Sequence, residues 1–209
     1  MSQDSVKIHR GLVGVYFDRT KTTYINGKEG ILEYCGYNIH DLAENSTFEE
    51  TAYLLLNGKL PNQSELDQFN TDLINSRSIP PKIIDIIRSI KDAHPMDVLR
   101  TSVSALSTFD EDAADKSYEA TMRKGIRLTS QVPTIVMAHN AIRNDKEPIE
   151  PSKSLSHAAN FLYMLDGQPP SESSAKLMDK DFIVHADHGS NASAFAARVC
   201  AGTQADLHS

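Results

Sequence analysis

In "DFIVHADHGSNAS", residues 181 to 193, His185 and His188 stand three apart with Asp187 between them, and the run then breaks into Gly189-Ser190-Asn191. Such residues serve metal ligation, hydrogen-bond or proton donation in catalysis, or the polar finish of a helix. On a continuous helix the i, i+3 spacing puts both imidazoles on one face and turns Asp187 away from them. A metal site built from His185, Asp187 and His188 needs further ligands, four in all for structural zinc and three plus water for catalytic zinc. The remaining histidines, His9, His40, His94, His139, His157 and His208, supply neither a second H-x-x-H nor an H-E-x-x-H. The plainest reading is a helix C-terminus whose dipole favours imidazolium, stopped by Gly189 in the left-handed region, with Asn191 capping the next helix. The same junction suits a small anion, because imidazoles and a helix N-terminus converge on it. A neutral histidine there can donate an N–H to a carbonyl or carboxylate oxygen, and Asn191 and Ser193 add further donors.

The elements that must hold this junction are mostly helices. Residues 1–45 form a strand and hairpin segment: "GVYFDRTKTTYINGKEGILEYCGYNI" is rich in Thr, Tyr, Ile and Val and is punctuated by Asn26-Gly27 and Gly30. Residues 46–209 read as helical. The spacing predicts a helix over 48–57, with Ser46 and Glu49 as a capping box and Gly58 as its stop. Further helices are expected after Pro61, from the Pro80-Pro81 pair and through Pro95. The longest candidate runs from about Asp112 to Arg143 and should be kinked or divided at Pro133. Another ends near Gly167, one is capped by Ser171 or Ser173, and the last begins at Asn191. Phe195, Val199 and Gly202 continue a small and apolar stripe toward Ser209, where no capping signal follows, and the chain reads as a fragment.

Composition excludes several classes. The chain has 209 residues, 40% hydrophobic and 23% charged, which is soluble globular chemistry with room for one sizeable core. A net charge of −7 without a Lys/Arg run argues against a nucleic-acid surface. Cys35 and Cys200 are the only cysteines, without C-x-x-C spacing, so neither a disulfide framework nor a thiolate zinc site is indicated. No apolar run of about 18 residues suggests a membrane span. The polar N-terminus shows neither signal nor transit character, which points to a prokaryotic cytoplasm.

Five blocks in one order carry a resemblance: "GLVGV" at 11–15, "YCGYNIHDLAENSTFEETAYLLLNGKLP" at 34–61, "HPMDVLRT" at 94–101, "SHAANFLYML" at 156–165 and "VHADHGSNASAFAARV" at 184–199. Together they resemble the N-terminal half of the citrate synthase family over nearly the whole chain. The resemblance implies a mainly α, multi-helical large domain, incomplete here, behind a small β-rich N-terminal segment. It implies condensation of acetyl-CoA with oxaloacetate to citrate and CoA, the entry to the tricarboxylic acid cycle, with no metal or other cofactor. It implies a homodimer that engages no nucleic acid and no membrane. By resemblance, His188 polarises the oxaloacetate carbonyl, while His185, Asn191 and Ser193 line or support that pocket.

The same comparison raises departures. The family's catalytic histidine lies in a Gly-Pro-Leu-His-Gly-Gly type segment past the equivalent of Ser209, with a second histidine, a general-base aspartate and much of the CoA site further on. No catalytic residue is therefore placed within these 209 residues. His208 is not a stand-in, and the isolated chain is expected to release no thiol above a His188→Ala control. Cys35 stands where an arginine is usual, in Tyr34-Cys35-Gly36-Tyr37, and with nothing basic beside it reads as tolerated variation and not as a redox site. His94 reads as a helix-entry residue ahead of Pro95, with Asp97 in the first turn, and His157 as core packing.

Three classes stay open on these residues. The first is an acyl-CoA condensing enzyme, in which 2-methylcitrate synthase, differing by one methylene in its donor, competes with citrate synthase. The family's methylcitrate members tend to read Tyr-Ala-Glu-His where this chain has His185-Ala186-Asp187-His188. The second is a metal-dependent hydrolase using His185, Asp187 and His188. The third is a non-catalytic helical binding module.

Overall fold

A computed structural model describes residues 19–189 and 191–209, so the block at 11–15 lies outside the described residues. Three short strands, β1 (Thr23–Asn26), β2 (Ile31–Tyr34) and β3 (Tyr37–Asn38), form an antiparallel sheet in the order β1-β2-β3. Asn26 starts the first turn by accepting from the Lys28 amide through its side chain. The second turn has two residues, Cys35 and Gly36, with φ of 50° and 88°, the doubly left-handed geometry that matches strand twist. The register sets Thr23 opposite Tyr34. Opposed residues share a face of the sheet, and both side chains are buried.

Helix α1 (Ile39–Asn45) follows at once, capped by Asn38, so residues 39–45 are helical and not part of the strand segment the sequence suggests. Helix α2 (Phe48–Asn57) has the expected bounds and stops at Gly58, φ +73°. Its capping box, however, is Thr47 with Glu50. The Ser46 hydroxyl instead donates to Leu42 O at the end of α1, and the Glu49 carboxylate turns inward to accept the His157 amide at 2.8 Å. Helices α3 (Gln63–Asn75), α4 (Pro81–Ser89) and α5 (Pro95–Leu106) start where the sequence signals place them. His94 accepts the Met96 amide through Nδ1, which is the helix-entry role expected of it.

Helix α6 (Tyr118–Arg143) departs from expectation twice. It starts at the Ser117 cap because Asp112 is drawn into ion pairs with Arg123 and Arg127, which leaves residues 110–117 as a folded loop. It also runs through Pro133 unbroken. The lost backbone bond is outweighed by packing: Ile135, Ala138 and Ile142 enter a core with Ile83, Ile87, Val98 and Leu106. Each isoleucine, leucine or valine side chain so buried contributes about 2 kcal/mol. Next to the proline, the Thr134 hydroxyl donates to Arg77 O, and Gln131 reaches Ser78 O.

Helices α7 (His157–Asp166), α8 (Glu172–Val184) and α9 (Ala192–Gly202) complete the described chain. A second core joins the sheet to α1, α2 and α8 through Tyr34, Ile39, Leu42, Leu54 and Ile183. By contrast, α9 has no buried residue, and Val199 is exposed.

Candidate functional site

The α8–α9 junction gathers the four residues singled out by sequence. Helix α8 ends at Val184 with His185 as its C-cap, so His188 lies in the connecting loop and the two imidazoles do not share a helix face. Gly189 takes the left-handed conformation, φ +61°, that ends the turn. Asn191 then caps α9 by accepting the Ala194 amide at 2.8 Å through its side-chain oxygen. Ser193 is exposed in the first turn of α9, beside amides that the helix itself leaves unpaired.

Both imidazoles are solvent-accessible. The His185 ring approaches the Asp181 carbonyl with Nδ1 at 2.8 Å, and because a carbonyl only accepts, that nitrogen carries the proton. His185 is thereby oriented from the last turn of α8, and its Nε2 remains an acceptor when the ring is neutral. His188 is exposed in the loop between the end of one helix and the start of the next. The two imidazoles and the positive end of α9 thus fall within a short stretch of chain, the kinds of group that can hold a carboxylate and offer an N–H to a carbonyl oxygen.

Asp187 does not join the histidines. Its carboxylate accepts from the Thr23 hydroxyl, its backbone N–H donates to the Tyr34 hydroxyl at 3.2 Å, and its carbonyl lies 3.1 Å from the same hydroxyl. Tyr34 is fully buried, and burial pushes its phenol above the ordinary value, so it stays a neutral hydrogen-bonding group. Among the described residues, no group of three or more His, Cys, Asp and Glu is placed to hold a metal ion. The Cys35 thiol approaches Leu54 O at 3.6 Å, and burial together with the Asp187 charge raises its pKa, in keeping with an unreactive thiol.

His157, read from sequence as a packing residue, is buried between Phe48 and Phe182, with ring centroids at 4.7 and 5.8 Å. His208 is also buried, within reach of Asp206 and Asp110. Neither belongs to the junction. The residues that sequence reasoning missed are Thr23 and Tyr34, whose partners lie more than 150 positions away, beyond any local spacing signal. Two grooves, about 540 Å³ between α6 and α9 and about 570 Å³ among α2, α3 and α6, are lined by neither His185 nor His188.

Comparison with known proteins adds to this geometry. Residues 11–209 match the family model described as "Citrate synthase, C-terminal domain". A protein of Haloferax volcanii named citrate synthase is 42% identical over 98% of this chain and 55% of its own length. One of Mycobacterium tuberculosis named 2-methylcitrate synthase is 37% identical over 97% of this chain and 51% of its own. The crystal structure of citrate synthase from Pyrobaculum aerophilum superposes with a TM-score of 0.92 at 37% identity, covering 96% of this chain and 52% of that one. The chain spans about half the length of the curated relatives it matches.

Proposed function

Because the chain belongs to the citrate synthase family, a family of acyltransferases, we propose that its α8–α9 junction forms the oxaloacetate-binding wall of an enzyme that makes citrate from acetyl-CoA. In that reaction the acetyl methyl loses a proton, the enol carbon bonds to the ketone carbon of oxaloacetate, and the ketone oxygen becomes a hydroxyl. Water then cleaves the thioester to release CoA. His188 donates a ring N–H to the ketone oxygen and stabilises the negative charge that grows there as the new bond forms. His185, oriented by Asp181, and the N-terminal turn of α9, with Asn191 and Ser193, hold the substrate carboxylates. The carbonyl is polarised by an imidazole, so the proposed chemistry calls on no metal. None of the 209 residues is assigned to enolisation or to thioester cleavage.

The observation that carries this reading is the junction itself, where an exposed imidazole sits between a histidine-capped helix end and a helix start. Acetyl-CoA is the proposed acyl donor. The relative named 2-methylcitrate synthase supports propionyl-CoA as the competing one, and a comparison of the two thioesters decides between them. A homodimer is proposed as well, because α9 leaves its small and apolar side chains uncovered. Among the described residues no helix is long and apolar enough to cross a membrane, and a cytoplasmic site of action fits the proposed substrates.

The test is calorimetric titration of the 209-residue protein with oxaloacetate. His188→Ala is expected to weaken binding about tenfold, the effect of one hydrogen bond to a charged ligand, with an unchanged thermal midpoint because the ring is exposed. Equal affinity in the two proteins would remove His188 from the proposed role.

A further inference from the structure

We propose that Thr23 and Tyr34 are positioning residues for His188, which makes the N-terminal sheet a working part of the substrate site. The proposal rests on the reading of the α8–α9 junction as the oxaloacetate wall. It is carried by what surrounds residue 188 on either side. Before it, Asp187 is fixed three times: its carboxylate by the Thr23 hydroxyl, its N–H by the Tyr34 oxygen, and its carbonyl by the same hydroxyl. After it, Gly189 lies against the sheet, so close that a Cβ built there would stand 3.8 Å from both Thr23 and Ile25. The backbone is thus anchored at 187 and passes beside the sheet at 189, and the imidazole between them is left exposed.

The chemistry of the two anchors suits the task. Tyr34 Oη is also 3.3 Å from the carbonyl of Val184, one of the last carbonyls of α8 and one that the helix leaves without an intrahelical partner. The hydroxyl accepts the Asp187 N–H and shares its single proton between the carbonyls of Val184 and Asp187, so one buried group serves the helix end and the loop together. Thr23 is paired opposite Tyr34, which brings both hydroxyls to the same face of the sheet. Neither touches the site where substrate would sit. Their effect passes through the loop backbone, by holding the His188 N–H in the direction that a carbonyl acceptor requires before the ligand arrives. Preorganisation of this kind lowers the ordering cost of binding.

Thr23→Val keeps the shape and removes the hydroxyl, Tyr34→Phe does the same for the phenol, and Thr23→Ser restores a donor. Oxaloacetate affinity is measured by calorimetry, amide exchange is followed at residues 186–189, and the His188 ring signals are recorded by NMR with and without oxaloacetate. Thr23→Val and Tyr34→Phe are expected to weaken oxaloacetate about five- to tenfold and to speed exchange at 186–189, while Thr23→Ser stays within about twofold of wild type. The ligand-induced shift of the His188 ring signals should shrink in the first two variants and return in the third. Affinity unchanged in Thr23→Val while His188→Ala loses binding overturns the positioning role and leaves the oxaloacetate reading intact. Failure of Thr23→Ser to restore affinity overturns it too, since shape and not the hydroxyl would then be at work. A wild-type protein that binds no oxaloacetate removes the reading and the proposal together. Should Tyr34→Phe not fold, the threonine pair decides alone.

Discussion

Asp110→Ala is expected to lower the stability of the protein by about 3 kcal/mol, read as a shift in the urea midpoint with an unchanged slope. The Arg127 guanidinium forks onto this carboxylate at 2.9 and 2.6 Å and reaches Asp112 at 2.8 Å, while Arg123 forks onto Asp112 at 3.0 and 2.6 Å. The Asp110 side chain is only 5% exposed, and the buried His208 ring stands 3.5 Å away. Removing the carboxylate leaves a half-sheltered arginine short of its partner and takes away the anchor of the loop between α5 and α6. A lost partner is costly in such a place because the arginine has been drawn partly out of water and keeps only Asp112, itself shared with Arg123, to compensate it. The expectation has a built-in control. Arg127→Met in the Asp110→Ala background should cost far less than a second full penalty, because the orphaned charge has gone. A loss below about 1 kcal/mol for Asp110→Ala would place the cluster with ordinary surface ion pairs.

The second large effect is on the pH dependence of stability. Burial, reinforced by the Arg77 charge, pulls the His157 imidazole down to about 4 from an ordinary 6.5. Between those values the unfolded chain takes up a proton that the folded one refuses, so stability is lost as pH falls from about 6.5 to 4. The group is 4% exposed, and the loss amounts to about 3 kcal/mol. Asp179 acts in the opposite sense. Burial next to the start of α2, with Glu49 and Glu50 nearby, lifts its carboxyl to about 6, although it accepts the Phe48 amide. Here the folded chain binds the extra proton, and stability falls as pH rises from about 4 to 6. Its partial exposure lets solvent screen the effect to under about 1 kcal/mol.

The two slopes partly cancel in the wild type. His157→Phe, which keeps a ring against Phe48 and Phe182, should therefore leave a protein that gains slightly on acidification from pH 6.5 to 4.5, whereas Asp179→Asn should steepen the acid loss. Carboxylates held below their usual range by cations or amides, such as Asp112 and Asp206, add their own losses only toward pH 4 and lower. Thermal midpoints across this window check both signs. Parallel curves for wild type and His157→Phe would contradict the assignment to the histidine.

Some of this architecture is written in local chemistry. Gly58 and Gly167 end their helices in the left-handed conformation, and Pro81 and Pro95 open theirs, because these residues decide backbone geometry from within a single turn. The histidine junction is legible for the same reason, down to the Asn191 cap. What the sequence misplaces is settled by distant partners. Glu49 looks like half of a capping box until the amide of His157, 108 residues on, claims it. Asp112 looks like the start of α6 until two arginines of that helix pull it away. Pro133 reads as a break because the packing that carries the helix past it comes from α3, α4, α5 and α7. Thr23 is the extreme case, an unremarked threonine in a hairpin whose significance exists only once Asp187 is beside it.

That pairing also dictates when the junction can exist. Tyr34 is separated from Asp187 by 153 positions and Thr23 by 164, so the clamp closes a loop that includes most of the helices. Contacts of such separation are made only after their closure entropy has been offset by nearer ones. During synthesis the hairpin emerges long before residue 187 is added; its buried face can pack on α1 and α2, but the α8 part of its core, Ile183, and its partner Asp187 arrive last. The histidine loop is then rigid only in the finished molecule. Any form in which the hairpin and the end of α8 have not yet met lacks the Thr23 and Tyr34 contacts to Asp187.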